Sequence, residues 1–276
     1  MKIGVIGLGL IGGVYARNYA AAEKLAATWN RTAQPTAPQW KNSPEAVVEA
    51  ADVVQIVVAG PPAVEAILAR IAPRLGPGKV VVQSSTIDAA SSTKFSALVT
   101  ARGARYLEAP FTGGKLAAES KKTIFYLGGD RALMAEVDPL LALTSEHRLV
   151  IGTIEQAASL KLAMNLILAI QLEGICEGLT LARRAGISDD LFFEVFGKNS
   201  GYSALAKMKE PKLKAGDFSP QFSVKHMAKD MRLAIHSAGG GGLPLLGAVH
   251  AALHAAEARG WGDVDYSVLI KLLELK

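Results

Sequence analysis

Lys161 and Asn165 lie in a stretch, Gly152–Arg184, that contains no proline and carries apolar residues on every face. Such a stretch reads as one long helix, buried all round. At about 1.5 Å per residue it would span more than roughly 40 Å. Being four residues apart, the ammonium and the amide project from one face. An ammonium inside an apolar helix is costly without a partner or a task. Taken alone, Lys161 would be read as a side chain that snorkels to solvent. Lys161, Asn165, Gln171, Glu173 and Glu177 also interrupt any apolar run long enough for hydrocarbon, so a membrane span is not expected.

The rest of the chain changes the reading of Lys161. Gly7-Leu8-Gly9-Leu10-Ile11-Gly12 follows a short apolar run, Lys2–Ile6, and opens a helical stretch to about Ala22. This is GxGxxG in the context where it binds a dinucleotide. The first glycine permits the tight turn, the second lets backbone approach a pyrophosphate, and the third lets helix pack on strand. The helix N-terminus then offers unpaired N–H groups to the phosphates. After the next strand, Leu25–Trp29, stand Asn30-Arg31-Thr32. An acid that would bind the ribose 2′-hydroxyl of NAD is missing, and an arginine takes the place of a 2′-phosphate partner, which points to NADP. Ser84-Ser85-Thr86 follows the strand Val80–Gln83, at the carboxyl edge where ligands bind in such sheets. Thr112, Gly113 and Gly114, in the loop Pro110–Lys115, could present a hydroxyl and bare N–H groups to a carboxylate. As an isolated pattern a plain glycine turn is the better reading. The five histidines form no ligand cluster with acids or cysteines, and His250 and His254 read as one helix face, so no metal is expected.

Positioning these groups requires two kinds of architecture. Up to Gly152, strands alternate with helices: further strands are expected at Val53–Val58, Arg105–Ala109, Thr123–Leu127 and Arg148–Ile151, with helices at Pro62–Ile71 and Asp130–Leu143. Beyond it every segment reads as helical: Asp189–Gly197, Ala204–Lys214, Val224–Ser237, Leu245–Arg259 and Ser267–Leu275. Gly239–Gly242 with Pro244 forms a helix-breaking loop. The expected fold is α/β: an N-terminal Rossmann-type, doubly wound domain over 1–152, then an all-α domain over 153–276 that begins with the long connecting helix.

The bulk numbers agree with a two-domain enzyme. The chain has 276 residues, half of them hydrophobic, and a net charge of +5 with its basic residues scattered. The scatter argues against a nucleic-acid arm. MKIGVIGLG runs directly into the glycine turn without a cleavable apolar segment, and the single cysteine, Cys176, permits no internal disulfide. A cytoplasmic setting is the expectation.

Together these pieces resemble the β-hydroxyacid dehydrogenase family along essentially the whole chain. The resemblance rests on GLGLIG at Gly7–Gly12, NRT at Asn30–Thr32, EAPFTGG at Glu108–Gly114, Lys161 and Asn165 in SLKLAMN, and KDMRLA at Lys229–Ala234. NRT, KLAAE at Lys115–Glu119 and FSVKHMAKDMRLA at Phe222–Ala234 look most like the glyoxylate and succinic semialdehyde reductases. The resemblance implies that Gly7, Leu8, Gly9, Leu10, Ile11 and Gly12 hold the pyrophosphate and that Asn30, Arg31 and Thr32 hold the adenosine phosphate. It places Thr86 beside both the nicotinamide and the substrate. Thr112, Gly113 and Gly114 would grip the substrate carboxylate, Lys161 would be the catalytic acid/base, and Asn165 would steady the substrate. Lys229 would close on the cofactor, and Phe222 and Asp230 would complete the pocket. Many relatives read Asp-Ala-Pro-Val-Ser-Gly-Gly where this chain has Glu108, Phe111 and Thr112, so Phe111 is expected to add bulk near the pocket.

The implied activity is NADPH-dependent reduction of a short aldehyde or keto acid, glyoxylate or succinic semialdehyde, by a homodimer or homotetramer, without nucleic-acid or membrane partners. The alternatives are a 3-hydroxyisobutyrate-type dehydrogenase, an imine reductase, and a catalytically inactive dehydrogenase fold serving as an interaction module. Imine reductases usually replace the helix lysine and the inactive relatives lose it, so Lys161 speaks against both.

Overall fold

The computed structural model describes residues 1–240 and 242–274. They divide into two compact units, Met1–Leu162 and Ala163–Lys276, with the division inside the long helix.

The first unit is built on an eight-stranded sheet. Its elements run β1 Ile3–Ile6, α1 Gly12–Ala21, β2 Leu25–Trp29, α2 Pro44–Ala50, β3 Val53–Ile56, α3 Pro61–Ile71 and β4 Val80–Gln83. They continue with α4 Ala89–Thr100, β5 Arg105–Glu108, β6 Phe111–Thr112, α5 Lys115–Glu119, β7 Thr123–Gly128, α6 Arg131–Leu141 and β8 Ser145–Gly152. The strand order is β2-β1-β3-β4-β5-β7-β6, with β8 on the outer side of β7. β1 to β5 are parallel, β5 and β6 meet β7 antiparallel, and β8 runs parallel to β7. From β1 the chain goes outward to β2 and then crosses to β3 on the other side. That reversal opens a crevice at the carboxyl ends of β1 and β3, where ligands of such sheets bind.

Alternation along each strand sends side chains to opposite faces. Ile3, Val5, Val53, Val80 and Val82 join Tyr15 and Tyr19 of α1 and Leu133 and Val137 of α6 in one core. Ile6, Val54, Ile56 and Val81 join Val47 of α2, Val64 and Leu68 of α3 and Phe95 of α4 in the other. Both faces are covered, which is why the strands read as unbroken apolar runs.

α7, Ile154–Arg184, is followed by α8 Asp189–Phe196, α9 Ala204–Ala215, α10 Val224–Ser237, α11 Pro244–Ala258, a 3₁₀ turn Tyr266–Leu269 and α12 Ile270–Leu273. The expected burial of α7 on all sides is not found. Ala157, Leu162, Ala169, Leu172 and Cys176 are buried, but Ile167 and Leu181 are 46% and 71% exposed in the single chain. By length and composition alone α7 could cross a bilayer, with a mean hydropathy of 1.4 over an 18-residue window that is 39% buried.

Several boundaries differ from expectation. β3 stops at Ile56 rather than Val58, because Val57 and Val58 turn into the loop before α3. β8 begins at Ser145, three residues early, extended by its pairing with β7. α2, α4 and α5 went unread: each is short or mixed in polarity, so its apolar period is weak. The C-terminal stretch is a 3₁₀ turn followed by a four-residue helix, Ile270–Leu273. Leu275, its expected end, lies outside the described residues.

Candidate active site

Backbone packing accounts for two of the three glycines of the first loop. Gly7 has φ of +100°, and a Cβ there would stand 2.1 Å from the Val57 carbonyl oxygen. A Cβ on Gly12 would stand 2.0 Å from the Gly7 carbonyl oxygen. A Cβ on Gly9, in contrast, would meet nothing within 4 Å. The loop is therefore pinned at both ends and open at its middle, beside the first turn of α1, where the Gly13 N–H donates to the Gly9 carbonyl at 3.0 Å. This cradle fits the pyrophosphate of a dinucleotide.

Asn30 ties this loop to the turn after β2. The Leu8 N–H donates to Asn30 Oδ1 at 3.0 Å, and Asn30 Nδ2 donates to the Thr32 carbonyl at 2.9 Å. Its side chain thus holds two backbones together, while Arg31 and Thr32 are exposed at the rim. Gln34, not singled out from sequence, supports the same turn by donating to the Leu8 carbonyl at 3.4 Å. Within the loop Leu8 is buried, Ile11 half-buried and Leu10 exposed.

Thr86 is half-buried in the turn between β4 and α4, where Asp88 accepts from the Ser91 N–H at 2.9 Å and caps the helix. Thr112 lies on β6, opposite Ile124, and is half-buried, with Gly113 and Gly114 exposed after it. Gly113 has φ of +115°, and a Cβ there would come within 3.0 Å of the Ala117 methyl. Phe111 is half-buried, its ring edge-on to Tyr15 at 5.4 Å and to Phe125 at 6.0 Å, packed against the first core. Such aromatic pairs are worth about 0.5–1.5 kcal/mol each beyond area burial, so Phe111 anchors the loop to the sheet. Lys161, on the same unit, is 7% exposed on α7.

In the second unit Asn165, one turn beyond Lys161, is 1% exposed and donates from Nδ2 to Asp230 Oδ2 at 2.6 Å. Lys229 Nζ pairs with Asp230 Oδ1, also at 2.6 Å. Asp230, buried on α10, is therefore the hub joining two other candidate residues. Phe222 belongs to a separate arrangement before α10: its N–H donates to Asp265 Oδ2 at 3.0 Å, and its ring lies 5.9 Å from that of Tyr266. His226, half-buried on α10, shares a 2.7 Å hydrogen bond with Ser223 Oγ. Burial, with Lys229 and Lys225 nearby, keeps its pKa below the usual histidine value.

Sequence reasoning passed over the polar side chains inside the sheet. Tyr19 donates to Gln55 Oε1 at 2.9 Å, and Gln55 Nε2 donates to Ser84 Oγ at 3.0 Å. Gln83 and Glu108 form a second buried group beside it. The available signal was a lone amide in each of two apolar strand runs, VVQIVV and VVVQ. Cys176 is buried, and burial pushes its thiol well above the usual range, as suits a packing residue.

A family model for the NAD binding domain of 6-phosphogluconate dehydrogenase matches residues 2–152. A second, for the NAD-binding of NADP-dependent 3-hydroxyisobutyrate dehydrogenase, matches residues 156–273. The chain is 27% identical to glyoxylate/succinic semialdehyde reductase 1 of Arabidopsis thaliana, over 99% of each chain. It is 28% identical to the cytokine-like nuclear factor N-PAC of Mus musculus, over 98% of this chain and half of that protein. The crystal structure of 3-hydroxyisobutyrate dehydrogenase from Salmonella typhimurium superposes with a TM-score of 0.89 at 26% identity, over 99% of each chain.

Proposed function

Because the chain belongs to the β-hydroxyacid dehydrogenase family, NAD(P)-dependent oxidoreductases acting on CH–OH groups, we propose that it reduces short aldehyde or keto acids, glyoxylate or succinic semialdehyde, with NADPH. The observation that carries this reading is Lys161, an ammonium 7% exposed on an otherwise apolar helix. It stands one helical turn before Asn165 on α7, the position at which the family resemblance carries the acid/base.

When bound, NADPH supplies the hydride. The glycine loop would hold its pyrophosphate, Asn30 would brace that loop, and Arg31 would meet the 2′-phosphate. Thr112 and the Gly113–Gly114 backbone would orient the substrate carboxylate. Lys161 would stabilise negative charge growing on the carbonyl oxygen and donate the proton from Nζ. Asn165, held by Asp230, would steady the substrate one helical turn away.

The deciding experiment is NADPH oxidation across a panel of short carboxylated aldehydes and keto acids, each paired with an uncharged analogue. The reading expects turnover confined to the carboxylated members. Activity with the uncharged analogues alone would refute the carboxylate grip. A folded protein that binds NADPH and turns over nothing would favour a second reading, a binding module, which draws on the similarity to N-PAC.

A further inference from the structure

Beneath the candidate site, Gln83 and Glu108 occupy the last positions of the neighbouring strands β4 and β5, in register with each other, and both are fully buried. Every polar atom of the Gln83 amide is used. Its Oε1 accepts from the Ser85 N–H at 2.6 Å, and its Nε2 donates to the Ser85 carbonyl at 2.8 Å and to Glu108 Oε1 at 2.9 Å. The Ser85 N–H can only donate, so the orientation of the amide is fixed by its partners. Glu108 Oε2 accepts from Ser92 Oγ of α4 at 2.6 Å and from the Tyr106 hydroxyl at 2.7 Å. The Ala109 N–H, first in the loop toward Thr112, donates to the Gln83 carbonyl at 2.7 Å. Ser85 Oγ in turn accepts from the Val58 N–H at 2.9 Å, beyond the end of β3.

The geometry points to Glu108 and Gln83 as a positioning pair that locks the Ser85–Thr86 turn to the start of the 109–114 loop. This rests on the proposed function, with Thr112 at the substrate carboxylate and, as the family resemblance implies, Thr86 beside the nicotinamide and substrate. A buried network of this kind is favourable only when every member is satisfied, and a half-satisfied one is worse than an apolar core. Here the amide that clamps Ser85 has one support outside its own turn, the Glu108 carboxyl. Glu108 makes no ion pair among the described residues. Burial pushes its carboxyl up to about 8, against the opposing hydrogen bonds from Ser92, Tyr106 and Gln83. In the neutral acid the proton sits on the Oε2 side, with one of the two hydroxyls turned to accept. Oε1 must remain the acceptor, because Gln83 Nε2 cannot take a proton. A glutamine at 108 can reproduce that arrangement; a leucine cannot.

The test is hydrogen exchange on the cofactor-free protein together with NADPH-dependent kcat. In Glu108→Leu, exchange of the segment 84–86 should rise by about tenfold or more, the scale of one lost hydrogen bond to a buried group, while β1 stays protected. Glu108→Gln should keep exchange there within about twofold and retain most of kcat. Glu108→Leu and Gln83→Leu should each lower kcat about tenfold with little change in NADPH affinity, and the double variant should lose no more than the worse single. Unchanged exchange at 84–86 in folded Glu108→Leu overturns the pair, as do additive kcat losses or a Glu108→Gln as impaired as the leucine variant. If Glu108→Leu does not fold, Ser92→Ala combined with Tyr106→Phe strips two of the three donors. It must loosen the same segment, and no change there overturns the proposal. Exchange needs no turnover, so a wild type inactive on every substrate counts against the proposed function and leaves this result standing.

Discussion

Asp265→Ala is expected to destabilise the second unit by about 4–5 kcal/mol, and Lys209→Met by roughly 2 kcal/mol less. Asp265 and Lys209 are both fully buried and meet at 2.7 Å. Asp265 also accepts from the backbone N–H of Gln221 at 2.9 Å, Phe222 at 3.0 Å and Ser267 at 3.1 Å. Removing the carboxylate strands an ammonium whose other contacts are Gln221 Oε1 at 3.1 Å and the Tyr266 ring at 5.0 Å. Breaking a buried pair in this way costs about 3–5 kcal/mol, and the orphaned N–H groups add to it. Removing the lysine instead leaves a carboxylate with three backbone donors, which favour its charged form. Urea unfolding of the two variants and of Asp265→Asn measures the order. The reasoning fails if Lys209→Met costs as much as Asp265→Ala, since the ion pair alone would then hold the loop before α10. Burial acts to raise the Asp265 pKa, but Lys209 and the Phe222 and Gln221 amides hold it below the usual carboxylate value. The sign follows: this stability is fully present above the unfolded value of about 3.9 and is lost as pH falls through the folded value. Asp265→Asn should therefore flatten the dependence of Tm on pH below about 4.

Lys161→Ala should lower kcat by about 100-fold or more while NADPH binding, followed by fluorescence, holds steady; near-normal turnover in the folded variant would remove the lysine from the chemistry. Arg31→Ala should raise the KM for NADPH about tenfold and leave that for NADH nearly unchanged, and equal effects on both would make Arg31 structural. Thr112→Ala should cost roughly tenfold in kcat/KM for carboxylated substrates and much less for uncharged aldehydes of similar size, with parallel losses speaking against the carboxylate grip.

The alternation of strands and helices up to Gly152, and its end there, could be read from apolar period and glycine punctuation. So could the long helix and most helices beyond it. The partial exposure of Leu181 and Ile167 could not, because periodicity reports which residues are apolar and not which are covered. Phe111 shows what the loop reading left out: the β6–β7 pairing sets it against Phe125, and its half-buried ring packs against the first core. Glu108 is a second case. It stood out only as a departure from Asp, while its partners Ser92 of α4, Tyr106 of β5 and Gln83 of β4 are brought together by helix packing and strand register that the sequence does not display.

The glycine loop shows how one motif can hold two requirements. Gly7 and Gly12 answer to the fold: a methyl on either would drive into a backbone oxygen at about half the normal contact distance, whether or not a ligand were bound. Gly9 answers to nothing in the protein, since the direction of its missing Cβ is open. A glycine there relieves no clash within the protein, and under the proposed function the open side is where the pyrophosphate backbone contact would lie. Asn30 is divided in the same way. Its side chain is spent on the Leu8 N–H and the Thr32 carbonyl, which hold the loop and the next turn in fixed relation. Arg31, between them, is left exposed at the rim and makes no ion pair among the described residues. The fold thus commits Gly7, Gly12 and Asn30 to geometry, while the proposed function assigns Gly9 and Arg31 to the cofactor; substitutions at the first three should fail in folding before they fail in binding.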